Sequence, residues 1–275
     1  MTKFKRLRVR WHAVSIHLRR PMGRFLIPIA LLAACVDGDR RGPATSPLIL
    51  DHIFVLVPPG ASAAREALSN AGVTVDTAVS QHRGAGTASV SVRFENAYLE
   101  LLWVDSSVAL VPELIARVDR YRAGTWGTGS LASPFGLGLR RAPSAPDSLP
   151  VPSRRYTAAW MTPGTWIDVI IPPADSLPPP RVFVVPRDMG FDAWRGNVRA
   201  EAPELFQHPA GIRGLTAIRL VVPSGAWGEL PPGFPVVPGL TVAPGEEHLA
   251  ELTLDGGQQG RRVDLRPALP LVLIY

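Results

Sequence analysis

Leu50–Pro58 reads LDHIFVLVP and Ala97–Val104 reads AYLELLWV. Both runs are rich in β-branched, aromatic and leucine side chains, the composition of strands bounded by turn residues. Between them lies ASAAREALSNA at Ala61–Ala71, a short Ala-rich helix with Gly72 placed as its C′ residue. Val73–Val79 reads as a strand, Gln81–Gly86 (QHRGAG) as a loop, and Thr87–Phe94 as a strand turned into the next by Glu95-Asn96. The order is therefore β-α-β-β-β. Period-two alternation sets His52 on one strand face with Leu50, Phe54 and Leu56, and Asp51, Ile53 and Val55 on the other. Likewise Glu100 shares a face with Tyr98 and Leu102. An imidazole and a carboxylate on apolar faces are costly unless paired, protonated or metal-bound, and borderline divalent metals accept both ligand types.

Taken together, LDHIFVLV, HRGAGT and YLELLWV resemble the glyoxalase-like domain of the vicinal oxygen chelate superfamily. The resemblance implies an α+β fold in which repeated βαβββ modules form curved mixed sheets around a cavity. It also implies a divalent metal held by His52 and Glu100. His82, in the segment matching the family's His-x-Gly-x-Gly-Thr, is the candidate third ligand, and His208, which leads with Pro209 toward a further strand, is next. Glu100 is then ligand or general base. A metal there polarises ligand oxygens in lyase, isomerase, dioxygenase or thiol-transferase chemistry.

Beyond the first module, Pro112–Gly124 reads as an amphipathic helix with Leu114, Val118 and Tyr121 on one stripe. Residues 125–210 form a divergent middle. Its strand signals are Phe135–Arg140, Tyr156–Met161, Thr165–Ile171 and Arg181–Val185, its loops are proline-rich, and its expected helix content is low. At the C-terminal side, Leu215–Pro223 (LTAIRLVVP) aligns with Leu50–Pro58, and Arg261–Pro267 with Glu95–Leu101, which suggests a degenerate βαβββ repeat over residues 211–275. Ala226–Gly233 would replace the helix there, followed by strands at Leu240–Ala243 and His248–Leu254. That alignment puts Ala217 where His52 stands and Arg266 where Glu100 stands, and neither can replace those ligands.

The charge is unevenly distributed. The 275 residues carry 29 Lys+Arg against 23 Asp+Glu, but eight of the cations precede position 35 and no acid does. From Cys35 onward 21 Arg face 23 acids, so the basic balance reports the leader and gives no reason to expect a nucleic-acid partner. The apolar run Phe25–Ala34 is too short for the roughly 20 residues that span a bilayer and suits a signal peptide. Leu32-Ala33-Ala34-Cys35 resembles the bacterial lipobox, which implies a signal at residues 1–34, starting at Met1 or Met22, and acylation of Cys35. Residues 35–48 then form a tether and residues 49–124 the first module plus its helix. The expected location is the bacterial cell envelope, lipid-anchored and facing the periplasm, with Val36 after the cysteine favouring the outer membrane.

One cysteine excludes an internal disulfide framework and any multi-cysteine zinc site. No Gly-x-Ser-x-Gly occurs, so a hydrolase elbow is not supported. The His82–Gly86 loop lacks the strand–GxxxxGK[ST]–helix context of a phosphate loop. Two functions remain. One is an envelope-anchored protein holding a small oxygen-bearing molecule on a metal at His52 and Glu100. The other is a metal-free cup that captures a small ligand or a partner protein, with His52 a structural histidine bonded to backbone or to Glu100.

Overall fold

The computed structural model describes residues 46–110, 133–158, 161–171, 180–223 and 233–275. The lipobox cysteine Cys35, the helix expected at 112–124 and most of the segment 226–233 lie outside them. The architecture is α+β, with few helices and two curved, unclosed mixed sheets.

The first module follows the sequence closely. Strand β1 spans Leu48–Leu56, helix α1 Ser62–Asn70, and strands β2, β3 and β4 span Ser80–His82, Thr87–Arg93 and Tyr98–Val104. Helix α1 buries Ala64 and Leu68, one turn apart, and stops where Gly72 takes φ +77°, a conformation glycine adopts without steric penalty. Strands β2, β3 and β4 pair antiparallel in turn, and β4 returns parallel beside β1. One boundary differs from expectation: Val73–Val79 makes no ladder, and the strand forms at Ser80–His82, overlapping the start of the segment read as a loop. The cause is local. Asp76 accepts a hydrogen bond from Ala78 N at 2.9 Å and pairs with Arg93 at 2.6 Å, so side-chain bonding competes with the ladder.

Strands β5 (Phe135–Arg141), β6 (Ser153–Tyr156), β7 (Ile167–Ile170) and β8 (Arg181–Val185) repeat this topology. β8 is parallel to β5, and β7 and β6 follow antiparallel. A proline-bearing loop, residues 142–152, stands where the first module has α1. The antiparallel pair β1–β5 fuses both quartets into one sheet of order β2-β3-β4-β1-β5-β8-β7-β6. The spatial partner of the first module is thus the middle segment. The strand expected at Tyr156–Met161 instead ends at Tyr156, and a helix, α2, spans Phe191–Glu201. The expectation of little helix overlooked that residues 187–202 contain no proline, which first returns at Pro203.

Strands β9 (Leu215–Pro223), β10 (Leu240–Gly245), β11 (Leu249–Leu254), β12 (Arg262–Asp264) and β13 (Leu271–Ile274) form the second sheet, in the order β10-β9-β11-β13-β12. The two aligned segments are not placed as in the first module. β4 lies beside β1, whereas β12 is an edge strand next to β13 and does not touch β9. Ala217 and Arg266 are therefore not spatial counterparts of His52 and Glu100.

One face of the eight-stranded sheet carries Ile53, Val55, Leu99, Leu101, Leu137 and Val184, which share a single core with Leu68 of α1 and with Leu220, Leu252 and Leu271 of the second sheet. Arg141 and Asp168 are also buried, 2.5 Å apart. Trp166 Nε1 donates to the same carboxylate at 3.1 Å, and Arg141 donates to the Asp147 carbonyl at 2.8 Å. This network fastens a module that has no helix. The opposite face holds a smaller cluster of Phe54, Leu56 and Leu102 with Phe183 against it. No helix among the described residues is long and apolar enough to cross a membrane.

Candidate functional site on the His52–Glu100 face of the eight-stranded sheet

Leu50 of β1 faces Leu139 of β5 and His52 faces Gly138, which leaves Asp51 as one extra residue, a β-bulge. Simple alternation puts Asp51 and His52 on opposite faces; the bulge re-aims them so that they meet. His52 Nδ1 lies 2.8 Å from Asp51 Oδ1, and because an ionised carboxylate only accepts, Nδ1 carries the hydrogen. The other oxygen accepts from Phe191 N at 2.7 Å, in the first turn of α2, and Arg140 Nη1 stands 3.9 Å away. The His52 ring stacks on Tyr98 with centroids 4.4 Å apart, and Phe191 and Trp194 of α2 pack on Tyr98 at 5.5 Å. Asp51 and His52 are both buried. This end of the face is closed by α2.

At the other end Glu100 and His82 are partly exposed, while Thr87 and Ser89 are buried. Glu100 sits beside Phe54 of β1 and Ser91 of β3. Its Oε1 is 3.5 Å from His82 Nε2, with side-chain exposures of 13% and 32%. His82 Nδ1 meets Thr87 Oγ1 at 3.0 Å, and Ser89 Oγ lies 3.4 Å from Nε2. Thr87, Ser89 and Ser91 form a hydroxyl row along β3, one per two residues. Beside them lies the apolar cluster of Phe54, Leu56 and Leu102, all buried, with Phe183 packed against it. The cluster lies low because Gly136 faces Phe54: a Cβ there would come within 2.0 Å of the ring. Tyr98 keeps its phenolic proton well above the usual range. Burial is the main cause, reinforced by the charges of Glu100 and Asp51 and opposed by Arg93.

The three expected metal ligands do not converge. His82 and Glu100 come together, while His52 donates from Nδ1 to Asp51 and sits beside Tyr98, two residues along the ladder from the Phe54–Glu100 pair. Both His208 nitrogens are spent on backbone, Nδ1 accepting from Thr74 N and Nε2 donating to Arg93 O, each at 3.1 Å. Burial pushes the His208 imidazole below its ordinary pKa, consistent with a neutral structural bridge. Among the described residues no group of three His, Cys, Asp or Glu side chains is arranged to hold a metal. A catalytic centre usually needs three protein ligands, so this donor set does not fit one. Sequence reasoning missed Asp51 as the partner of His52. The signal that could have found it is an Asp-His pair on a strand whose neighbour, FGLGL, offers glycine where a ring must lie flat.

Residues 50–133 match the family model of the Glyoxalase-like domain. No curated protein sequence matches the chain. Among solved structures, a hypothetical protein from Staphylococcus aureus is similar at 11% identity and a TM-score of 0.43, covering 82% of this chain and 97% of that one. A variant of 4-hydroxymandelate synthase from Streptomyces coelicolor is similar at 12% identity and a TM-score of 0.30, covering 76% and 71%. Neither likeness carries residue roles to this chain.

Proposed function

We propose that this glyoxalase-like protein holds a small oxygen-bearing molecule at the Glu100–His82 pair of its eight-stranded sheet, without a resident metal. The observation that carries the reading is the convergence of Glu100, His82 and the hydroxyls of β3 beside an apolar cluster. A few convergent polar groups next to apolar side chains can orient a small ligand. The metal-dependent reading is the weaker one, because among the described residues no three donors converge on His52. If the bound molecule reacts, Glu100 is the group placed to take its proton, with the more exposed His82 beside it.

A thermal-shift panel of small hydroxy, oxo and ether compounds tests this reading. A ligand present at a hundred times its Kd stabilises the protein by about 2.7 kcal/mol. That shift is expected in the wild type and reduced in Glu100→Gln, which removes the partly exposed carboxylate of the pair. A panel that leaves the wild type unmoved, together with stoichiometric metal retention that His52→Ala abolishes, would favour the metal-dependent reading instead.

We further propose attachment to the bacterial envelope through acylated Cys35, with the outer membrane favoured. Acyl chains contribute about 0.8 kcal/mol per buried methylene, so more than one chain anchors firmly. Intact mass of protein extracted from membranes should begin at Cys35 with acyl additions, and Cys35→Ser should move the protein to the soluble fraction. A membrane-extracted protein that retains residues 1–34 contradicts the proposal.

A further inference from the structure

We infer that His208 is an acid-sensitive joint: its neutral imidazole fastens the connector between α2 and β9 to the first module, and a second proton on the ring releases it. The connector, residues 207–214, is held from both sides. On the side of the first module, Thr74 Oγ1 donates to Gln207 O at 2.5 Å and Ala210 N donates to Gly72 O at 2.9 Å. On the side of the second sheet, Gln259 Nε2 donates to Ala210 O at 2.9 Å. The Asp255 carboxylate there accepts from Arg213 N and Gly214 N at 2.8 and 2.7 Å. Of the side chains in this lacing, only the His208 imidazole ordinarily changes charge between about pH 5 and 8.

The geometry demands one protonation state. Nδ1 lies 3.1 Å from Thr74 N, which can only donate, so Nδ1 keeps its lone pair. Nε2 lies 3.1 Å from Arg93 O, which can only accept, so Nε2 carries the hydrogen. A proton added at Nδ1 would point at the Thr74 N–H, and two donors would face each other where His208 is only 7% exposed. Leaving buried donors unpaired is costly. The surroundings set little against that cost. The Phe94 ring packs on the imidazole with centroids 5.3 Å apart. The Arg93 guanidinium is paired with Asp76 at 2.6 Å, and Glu204 on the preceding 3-10 turn is exposed. Asp255, the acid that acts on the ring, is engaged by two backbone N–H groups. Burial holds the His208 pKa below its ordinary value, against the smaller opposing pull of the Arg93 carbonyl and Asp255. A group whose folded-state pKa is lowered binds fewer protons closed than open. The stability it contributes is therefore complete above about pH 6.5 and is lost as pH falls toward the lower folded value.

Hydrogen exchange of the Thr74 amide, followed by NMR between about pH 8 and about pH 5 and corrected for intrinsic exchange, reads the joint directly. Its protection is expected to fall by close to tenfold for each pH unit between about 6.5 and the folded pKa of His208. His208→Asn puts an uncharged acceptor near the place of Nδ1 and should remove that extra pH dependence, whatever the protection at neutral pH. Carboxylates and the other histidines titrate in both proteins and cancel in the comparison. Protection that does not fall in the wild type, or that falls equally in His208→Asn, overturns the joint. Should His208→Asn fail to fold, the wild-type ring decides. Its carbon-bound protons should titrate below about pH 6.5 together with the loss of Thr74 protection, and titration at or above that value overturns the inference.

Discussion

Asp168→Ala is expected to cost about 3–5 kcal/mol, because it strands the buried Arg141 guanidinium without its counter-charge. Side-chain exposures of 6% and 7% leave water little access to either group. The same substitution removes the acceptor of Trp166 Nε1. Against a total stability of about 5–15 kcal/mol, that loss brings the protein to the edge of unfolding. Urea denaturation of the wild type and the variant measures it. The double variant Arg141→Met/Asp168→Leu separates two sources of the loss. If the penalty comes from an unpaired charge, the apolar pair recovers much of it, since a buried ion pair exchanged for packed hydrophobes is often neutral. A single variant within about 0.5 kcal/mol of wild type would show that the pair is not closed to solvent.

Gly136→Ala is expected to destabilise by about 1–3 kcal/mol, although alanine ordinarily improves on glycine in a strand interior. The added Cβ would stand 2.0 to 2.8 Å from three atoms of the Phe54 ring. Neither backbone can retreat, because β1 and β5 are the two central strands of the sheet. Phe54 must therefore leave its place and give up the contacts it makes within the apolar cluster. Phe54→Ala makes room, so the double variant should lose less than the two single losses added together, with a coupling of about 1 kcal/mol or more. Strict additivity in denaturant titrations would mean that ring and backbone do not press on each other.

The parts of the fold that sequence made legible are those whose signal is local. LDHIFVLVP and YLELLWV form strands because their composition permits little else, and Gly72 ends α1 where its freedom at positive φ is needed. Pairing between distant segments was not legible. The resemblance of LTAIRLVVP to LDHIFVLVP pointed to the C-terminal segment, yet the strand that joins β1 is FGLGLRR, whose glycines accept the rings of Phe54 and His52. Complementarity of ring and void is not a likeness of sequence. The site shows the same division. Glu100 and His82 were both selected, and they meet because Ser80–His82 pairs with β3. His52 was selected too, but its partner depended on one extra residue in β1, and a bulge leaves no mark on a period-two pattern.

The β1–β5 seam also separates sequence modules from folding units. The family match spans residues 50–133 and stops just before the strand that covers β1 on its free side. A fragment cut there would expose a nine-residue strand with unpaired backbone groups along one edge and Phe54 and His52 bare where β5 had lain over them. Such an edge is a template for pairing with a second chain, so the isolated fragment is more prone to associate than to stand alone. What recurs in sequence as one module is, in this protein, half of a single sheet.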